Sequence, residues 1–344
     1  MKATRLHRIS NAEIVHYYSK EDIITSKHNV INAKIDGAVH KIVLSISPLQ
    51  RILGLFRIAR RALRLDKCNV FKAANNLVII KQSKVYCYNL ASRELKHTLT
   101  LKNCRNVLHQ SMGIASNGML FFGEYGNNGE RKAVNVYRSK DDGASWEVIY
   151  QFPAGEIKHI HGCYYDVYEN KVWTLTGDFK KENIIMKSDL DFSTNEKIGD
   201  GSQKYRAVNV FFTENKVHWI MDSPLEKSYH YVLDRATKAI ERKSLFPGPV
   251  WYLKKLTDDH YLAASSVEIG EGVLEKKASL FVSKDLENWE CVAKFDKDML
   301  PMRYFKWGVI AFADGEQDSN AVPLHFEALK RVDGKSYMYA INEG

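Results

Sequence analysis

Several features that are common in other proteins are scarce or missing from this chain of 344 residues. No apolar run approaches the roughly 20 residues that a transmembrane helix requires, and no apolar stretch of the signal-peptide type follows Met1. The five cysteines are odd in number and show no CxxC spacing, which argues against a disulfide framework or a zinc site and favours a reducing compartment. We therefore expect a cytoplasmic protein. This distinguishes the chain from most secreted glycosidases, whose sequences begin differently.

One segment carries much of the formal net charge of +9. Residues 47–65 (SPLQRILGLFRIARRALRL) have apolar residues at helical spacing with arginines between them, and Ser47-Pro48 is a suitable helix start. The pattern predicts an N-terminal basic amphipathic helix, which either contacts an anionic membrane surface peripherally, at the inner face of the membrane, or packs on the protein. Because no basic run is interleaved with aromatic residues, nucleic acid is not an expected partner.

The chain does contain a repeat of short β-rich runs. In each copy two such runs flank a turn, and a third run ends at an Asp or Asn turn. These turn markers are spaced by 52, 48, 45, 51 and 57 residues, and they are Asn89, Asp141, Asp189, Asp234, Asp285 and Asn342. A period of roughly 40–50 residues built from short strands is typical of propeller blades. We expect an all-β fold, a six-bladed β-propeller over residues 68–344, after an N-terminal segment 1–67.

The N-terminal segment also offers a way to complete the last predicted blade. The chain ends on a run that is interpreted as a third strand, so this blade lacks its outer strand. Residues 40–46 (HKIVLSI) are β-rich and directly precede the predicted helix at 47–65. We expect them to supply the missing strand.

The repeat is clearest at Ser139–Trp146, where Ser139, Asp141, Gly143 and Trp146 match the pattern S-x-D-x-G-x-x-W. Asp and Gly favour a tight hairpin turn in which the Asp side chain bonds turn amides, while Trp anchors the hairpin. The pattern resembles the Asp-box of the sialidase-like (BNR-repeat) β-propeller superfamily, over roughly Cys68–Gly344. The chain looks most like BNR-type proteins that accompany bacterial surface-polysaccharide assembly, so the resemblance implies a carbohydrate-related function.

The resemblance to sialidases in particular is partial. Those enzymes use an arginine triad, a Tyr nucleophile with a Glu partner, and an Asp acid/base. Phe56–Ala59 (FRIA) is similar to the motif of the first arginine, and Arg206, Arg303 and Tyr304 are partial matches to later members. Ala59 replaces the proline of that motif and lies in a helical pattern, so sialidase activity is not the expected one.

Candidate site residues follow from the way propellers bind ligands, where first strands begin and second strands end. Three consecutive blades end their second strand with an acid, and the adjacent strand starts supply histidine, arginine and aromatic residues. Such a central funnel offers carboxylates for acid/base work, cations for an anionic substrate and aromatic rings for sugars. The predicted catalytic residues are Glu124, Asp178, Asp222, His159, His161 and Tyr205, and the predicted substrate-binding residues are Arg206, His109, Trp251, Tyr252, Arg303, Tyr304 and Arg131.

Two sets of these residues have structural alternatives. The three acids are equally well suited to capping turns. His159 and His161 lie on one face of a strand, where a metal would need further ligands from His109, Glu124 or Asp178. The pair is instead expected to contact substrate or to form structural hydrogen bonds, and neither a metal nor a cofactor is predicted.

The function favoured by these residues is a carbohydrate-active enzyme that acts on an acidic glycan, as a glycoside hydrolase or a lyase. One alternative is an intracellular glycosyltransferase of surface-polysaccharide biosynthesis. Another is a propeller that binds glycans or serves as a scaffold without catalysis. In each case the expected partner is a carbohydrate, and the sequence leaves the oligomeric state open.

Overall fold

The computed structural model describes residues 1–343 and contains 28 β-strands, three short α-helices and one 3₁₀ turn. The strands of this described part form seven four-stranded sheets. The chain is an all-β, seven-bladed β-propeller. The prediction of six blades is therefore wrong.

The blades follow one another along the chain, except that β1 (Lys2–Arg8) belongs to the last of them. The first three blades are formed by β2 (Ile14–Tyr18), β3 (Ile23–Lys27), β4 (Val30–Ile35) and β5 (Ala38–Val43); by β6 (Asn69–Lys72), β7 (Asn76–Lys81), β8 (Lys84–Asn89) and β9 (Leu95–Thr100); and by β10 (Gly113–Ile114), β11 (Leu120–Gly123), β12 (Val134–Ser139) and β13 (Glu147–Phe152).

The next three blades have the same sequential order of strands. They are formed by β14 (Ile160–Asp166), β15 (Lys171–Thr176), β16 (Asn183–Ser188) and β17 (Asn195–Gly201); by β18 (Ala207–Phe212), β19 (Lys216–Met221), β20 (Tyr229–Asp234) and β21 (Ile240–Leu245); and by β22 (Val250–Lys255), β23 (Tyr261–Ser265), β24 (Lys277–Ser283) and β25 (Glu290–Asp296). The seventh blade comprises β26 (Val309–Phe312), β27 (Val322–Glu327), β28 (Lys335–Asn342) and β1.

The additional blade, β2–β5, lies within the segment 1–67 that was expected to contain only one strand and a helix. Its third and fourth strands are joined by the two-residue turn Asp36-Gly37, in which both residues have positive φ. This is the backbone of a type I′ hairpin, which Asp-Gly favours. Asp36 precedes Asn89 by 53 residues, so the repeat extends one period further towards the N-terminus.

The seventh blade is completed by β1 and not by residues 40–46. β1 pairs antiparallel with β28, from Lys2 opposite Asn342 to Arg8 opposite Tyr337. Residues 38–43 form β5, which pairs with β4 instead. The N-terminus therefore completes the seventh blade, as expected, but through a different strand.

Residues 47–65 form two short helices, α1 (Pro48–Leu53) and α2 (Arg57–Ala62), so the prediction of one N-terminal helix is wrong. Ser47 caps α1 through the amide of Gln50, as its sequence indicates. α1 ends at Gly54, where any β-carbon would meet the ring of His28. The third helix is α3 (Met302–Phe305). Within residues 1–343, no helix is long and apolar enough to cross a membrane.

The chain divides into two compact units. The terminal unit comprises Met1–Val70, Lys254–Glu268 and Glu275–Gly344, and the central unit comprises Phe71–Leu253 and Ile269–Leu274. In the central unit, Phe122, Tyr137 and Trp146 pack into one apolar cluster with Val78, and Trp146 meets Phe122 edge-on at 4.9 Å between ring centroids.

The Ser139–Trp146 hairpin contains the hydrogen bonds that its sequence predicts. Asp141 Oδ1 accepts from the Ser145 amide at 2.9 Å and from Ser139 Oγ at 2.8 Å. Gly143 has φ of 86°, a conformation that favours glycine. These bonds fix the turn between β12 and β13, so the hairpin has an architectural role in its blade.

Candidate functional site

Five of the predicted residues lie close together in the central unit. His159 and His161 lie at the start of β14, and Asp178 follows β15. Arg206 directly precedes β18, and Asp222 directly follows β19. We call these five residues the Asp178 cluster. Their positions at first-strand starts and second-strand ends are those the repeat indicates, and their chemical roles stay predictions.

The carboxylate of Asp178 lies at the centre of this cluster. Its Oδ1 lies 3.5 Å from His159 Nε2, 3.4 Å from His161 Nε2 and 3.2 Å from Arg206 Nη2. Its Oδ2 accepts a hydrogen bond of 2.6 Å from Lys158 Nζ. Arg206 Nε lies 3.4 Å from Asp222 Oδ2, so the guanidinium joins two carboxylates.

The backbone of Asp178 is held as firmly as its side chain. The Asp178 carbonyl accepts from Arg206 Nη1 at 2.9 Å and from Gln203 Nε2 at 3.1 Å. Gln203 is itself oriented by Ser223, whose hydroxyl donates to Gln203 Oε1 at 2.6 Å. Sequence reasoning missed Gln203, because it lies in the 3₁₀ turn Gln203–Tyr205 and belongs to no motif.

Backbone carbonyls fix both imidazole rings of the cluster. His159 Nδ1 lies 2.8 Å from Gly126 O, and His161 Nδ1 lies 2.7 Å from Ala207 O. A carbonyl only accepts hydrogen bonds, so each Nδ1 must carry a hydrogen, and in a neutral imidazole Nε2 is then a bare acceptor. His159 Nε2 is buried and has no hydrogen-bond partner. The Nε2 atoms of both rings and one carboxylate oxygen of Asp178 therefore face one another.

The surroundings of His161 and Asp178 shift the pKa values of both residues. Burial lowers the pKa of His161, which favours its neutral form. Burial alone would raise the pKa of Asp178, but the two imidazoles and Arg206 hold it well below its usual range. A neutral imidazole and an ionised carboxylate repel at this distance unless a proton or a cation lies between them.

The same three residues have the composition of a metal site. The ligand atoms of His159, His161 and Asp178 all lie within 4.8 Å of one another. Two imidazoles and one carboxylate are typical ligands of divalent transition metals. Hydrogen bonds from Nδ1 to backbone carbonyls are the usual means by which proteins orient such histidines.

An open cavity of about 510 Å³ adjoins the cluster, because Gly126, whose carbonyl accepts from His159, also lines the cavity. Its lining includes Glu130, which pairs with Lys132, and six cationic or amide residues that suit an anionic, hydroxyl-rich ligand, of which Asn128 is already bonded to the backbone of Lys132. These six residues are Lys102, Arg105, Lys132, Asn103, Asn127 and Asn128.

Two aromatic rings lie beside the cluster. The ring centroid of Tyr125 is 4.4 Å from that of His159. Phe179 lies between two cations, with Arg131 5.3 Å and Lys158 5.4 Å from its ring centroid. Arg131, a predicted substrate ligand, also donates to Glu182 at 2.6 Å, so it lies near the cluster but is already paired.

Two predicted catalytic residues make contacts outside the cluster. Glu124 is buried and accepts from the hydroxyl of Tyr137 at 3.1 Å and from the amide of Asn135 at 3.0 Å. These bonds suit the turn-capping alternative. Tyr205 stacks on Trp219 within the hydrophobic core of its blade.

The remaining predicted substrate ligands fall into two groups. His109, Trp251 and Tyr252 lie in the central unit, where the Tyr252 ring is 5.8 Å from that of His109 and 6.3 Å from that of Trp251. Arg303 and Tyr304 belong to α3 in the terminal unit, and both are exposed.

Neither a family model nor a curated protein matches this sequence. Solved structures do match. The extracellular domain of the one-component system BT4673 from B. thetaiotaomicron is 10% identical with a TM-score of 0.58, and the match covers 100% of this chain but only 40% of that one. A chain of the Mitotic Checkpoint Complex is 9% identical with a TM-score of 0.57, over 100% of this chain and 91% of that one.

A third similar structure is an oligogalacturonate lyase in complex with manganese. It is 11% identical with a TM-score of 0.53, and the match covers 99% of this chain and 93% of that one. Likenesses at such low identity are evidence of a shared fold alone. This chain is a β-propeller, and one of its structural neighbours is a carbohydrate lyase.

Proposed function

We propose that this protein is a metal-assisted lyase that acts on an acidic oligosaccharide at the Asp178 cluster. The observation that carries the proposal is the convergence of three acceptor atoms, from His159, His161 and Asp178, with no hydrogen-bond donor on His159 Nε2. The lyase neighbour, which was solved with manganese, supports this reading at the level of the fold.

In the proposed site, His159, His161 and Asp178 hold a divalent cation. Bound there, the metal would act as a Lewis acid on a sugar carboxylate. The residues fit such an ion because both histidines present Nε2 with Nδ1 already bonded to a carbonyl. This proposal replaces the sequence-based prediction that no metal is used.

The substrate is proposed to be anionic because cations surround the cluster. Lys158 and Arg206 bind Asp178 directly and are the nearest groups for a further carboxylate. The adjoining cavity adds Lys102, Arg105 and Lys132. A chain of acidic sugars can therefore extend from the cluster into the cavity, with asparagine side chains bonding its hydroxyl groups.

Elimination fits the acids of this site better than hydrolysis. A glycosidase needs one carboxylic acid that keeps a proton to donate. Here Glu124 accepts from Tyr137 and Asn135, Asp178 accepts from Lys158, and Asp222 pairs with Arg206. The cations around Asp178 favour its ionised form, so Asp178 is not suited to donate a proton, and neighbouring groups already engage the carboxylates of Glu124 and Asp222.

In the elimination, a proton leaves the carbon next to the sugar carboxylate and the bond from the adjacent carbon to the linking oxygen breaks. A carbon–carbon double bond forms, and the released oxygen takes up a proton. Lys158 and Arg206 stabilise the negative charge that develops. We assign to the Tyr125 hydroxyl the donation of a proton to the released oxygen, because its ring lies directly beside His159. A solvent water takes the proton from carbon, and a proton returned from solvent restores the tyrosine hydroxyl.

The test combines metal binding with product analysis. Calorimetry with Mn²⁺ on the metal-stripped protein should show one site in wild type and tenfold or weaker binding in His161→Gln. Oligogalacturonates and other uronate oligomers are then incubated with the Mn²⁺-loaded protein. Elimination gives an unsaturated product with ultraviolet absorbance and no added water, whereas hydrolysis adds one water to the mass.

Arg206→Ala should lower kcat/KM for a cleaved oligomer at least 100-fold, with the exposed Arg242→Ala as matched control. Tyr125→Phe should lower kcat more than it changes KM. Failure of wild type to bind Mn²⁺ would remove the metal from the proposal. Metal binding without cleavage of any uronate oligomer, or cleavage with addition of water, would overturn the lyase assignment.

A further inference from the structure

The two helices α1 and α2 belong to the terminal unit, and α2 turns its three arginines towards the protein. α1 has no buried residue, and the only buried residue of α2 is Arg61. The sequence pattern predicts a helix that either lies on an anionic membrane surface or packs on the protein by its apolar face with its arginines in solvent. The packing observed in α2 is the reverse of the second arrangement. The large apolar residues of both helices therefore do not enter the core of the protein.

Ion pairs explain this orientation. Arg57 makes a two-pronged contact with Asp333, with Nε–Oδ2 and Nη2–Oδ1 distances of 3.0 Å. Arg61 Nη1 lies 2.6 Å from Asp298 Oδ2, and its Nη2 donates to the carbonyl of Phe305 at 2.7 Å. Arg60 completes the set. We call Arg57, Arg60 and Arg61, with Glu13, Asp66, Asp298 and Asp333, the arginine cluster.

Large apolar side chains consequently face solvent. Leu55 is 77% exposed and Phe56 is 62% exposed, although exposure of such side chains costs free energy in water. Leu49, Ile52 and Ile58 are similarly exposed. A group of large apolar side chains exposed side by side is typical of a surface that binds a membrane or another molecule.

The charge around these residues indicates what covers them. From Gly37 to Leu65 the chain contains no Asp or Glu. The cations of this stretch that lie outside the arginine cluster, Lys41, Arg51 and Arg64, are exposed. A segment with outward apolar side chains, exposed cations and no acidic residue of its own is complementary to an anionic lipid headgroup layer.

We propose that α1 and α2 form a membrane-docking surface, in which Leu49, Ile52, Leu55, Phe56 and Ile58 enter the interface of an anionic bilayer. Arg51 and Arg64 contact the lipid headgroups, while the arginine cluster holds the helices on the protein. The contact is peripheral, and it is independent of the function proposed for the Asp178 cluster.

α3 adds to this surface, because Arg61 binds the carbonyl of Phe305, its last residue. Tyr304 of α3 is 59% exposed, and Met299, just before the helix, is 95% exposed. Tyrosine is enriched at membrane interfaces, where its ring is apolar and its hydroxyl is hydrated. Tyr304 is thus better placed for a lipid contact than for the sugar contact predicted from the sequence.

The test is flotation of the whole protein with vesicles of phosphatidylcholine alone or mixed with phosphatidylglycerol. Wild type should bind the anionic vesicles at least tenfold more tightly than the neutral ones. Leu55→Glu/Phe56→Glu should lose at least tenfold in binding, and Arg51→Ala/Arg64→Ala should lose most of the preference for anionic lipid. Val167→Glu/Ile269→Glu, which places the same charges at exposed apolar positions of the central unit, should bind as wild type does.

Hydrogen exchange of wild type on vesicles gives a readout that needs no variant, and it should show slower exchange over residues 48–64. Equal binding to neutral and anionic vesicles, or no binding, would overturn the proposal. So would a Leu55/Phe56-dependent dimer in sedimentation without lipid, since the surface would then belong to a second copy.

Discussion

The arginine cluster of the terminal unit and the Asp178 cluster of the central unit are both largely buried groups of charges, but they are organised differently. In the first, three guanidinium groups face four carboxylates, so each charged group lies beside groups of the opposite charge. In the second, the Nε2 atoms of two imidazoles and one carboxylate oxygen face one another. Lys158 and Arg206 supply positively charged donors to that carboxylate.

This difference separates a structural role from a functional one. Buried ion pairs in which donors match acceptors hold elements in place, and removal of one partner is costly. An arrangement of acceptors gains little for the fold by itself, because it requires a proton, a cation or a ligand to complete it. The arginine cluster therefore positions α2, whereas the Asp178 cluster is organised for something that binds.

The largest effect on stability is expected from Arg61→Ala. It leaves the carboxylate of Asp298 without its guanidinium partner in a largely buried place, so the free energy of unfolding should fall by about 3–5 kcal/mol. Urea unfolding measures the change. The exposed Arg242→Ala should shift it by less than about 0.5 kcal/mol. A loss below about 1 kcal/mol for Arg61→Ala would mean that the arginine cluster does not hold the helix.

A second buried pair, in the central unit, tests how the fold responds to charging of imidazoles. His218 Nδ1 lies 3.2 Å from His230 Nε2, and burial lowers their pKa values to about 3 and about 4. Unfolded histidine has a pKa near 6.5, so the unfolded chain takes up more protons between about pH 6.5 and 4. The stability that neutral histidines contribute is complete above about pH 6.5 and is lost as the pH falls through this window.

We expect the pair to account for about 3 kcal/mol of the stability lost between pH 6.5 and 5. His218→Gln/His230→Gln should show a correspondingly smaller slope of unfolding free energy against pH in urea titrations. Identical slopes for wild type and the double variant would show that the pair does not stay neutral in the fold.

The smallest effect on stability is expected from His159→Gln. Its Nε2 has no hydrogen-bond partner and lies 3.5 Å from Asp178 Oδ1, so the main loss in the variant is the bond from Nδ1 to Gly126 O, about 1 kcal/mol. Mn²⁺ affinity should nevertheless fall at least tenfold. Thermal unfolding and calorimetry give the two readouts, with the exposed His97→Gln as control. A loss of several kcal/mol with unchanged Mn²⁺ binding would make His159 a structural residue like Arg61.

Most of the fold was predictable from the sequence, because turns are formed by residues that lie next to one another in the chain. Asn89, Asp141 and Asp234 lie at or just after the end of the third strand of their blades, as the repeat predicts. Asp36 is the corresponding turn marker one period earlier. The sequence-based prediction did not include Asp36, so it missed the first blade. The pairing of β1 with β28 was not predictable in this way, since β1 is mostly polar and pairs with residues that lie 329 to 340 positions away.

The candidate site was predictable only in part, for a similar reason. Strand periodicity brought His159, His161 and Asp178 together, because each lies at a fixed place in its blade. The state of the imidazoles depends on the carbonyls of Gly126 and Ala207, and no pattern in the sequence connects these residues. In the same way, helical periodicity identified an apolar face at residues 47–65, but the distant Asp298 and Asp333 determine which side faces the protein.

The closure of the seventh blade by β1 and β28 also affects the nascent chain during its synthesis. β1 leaves the ribosome more than 320 residues before β28, and at about 5–20 residues per second this is a wait of roughly 15 to 65 seconds. During that interval β1 has no partner strand and is open to pairing with other chains. Lys2, Arg5 and Arg8 give it three positive charges, which discourage such pairing until β28 is available.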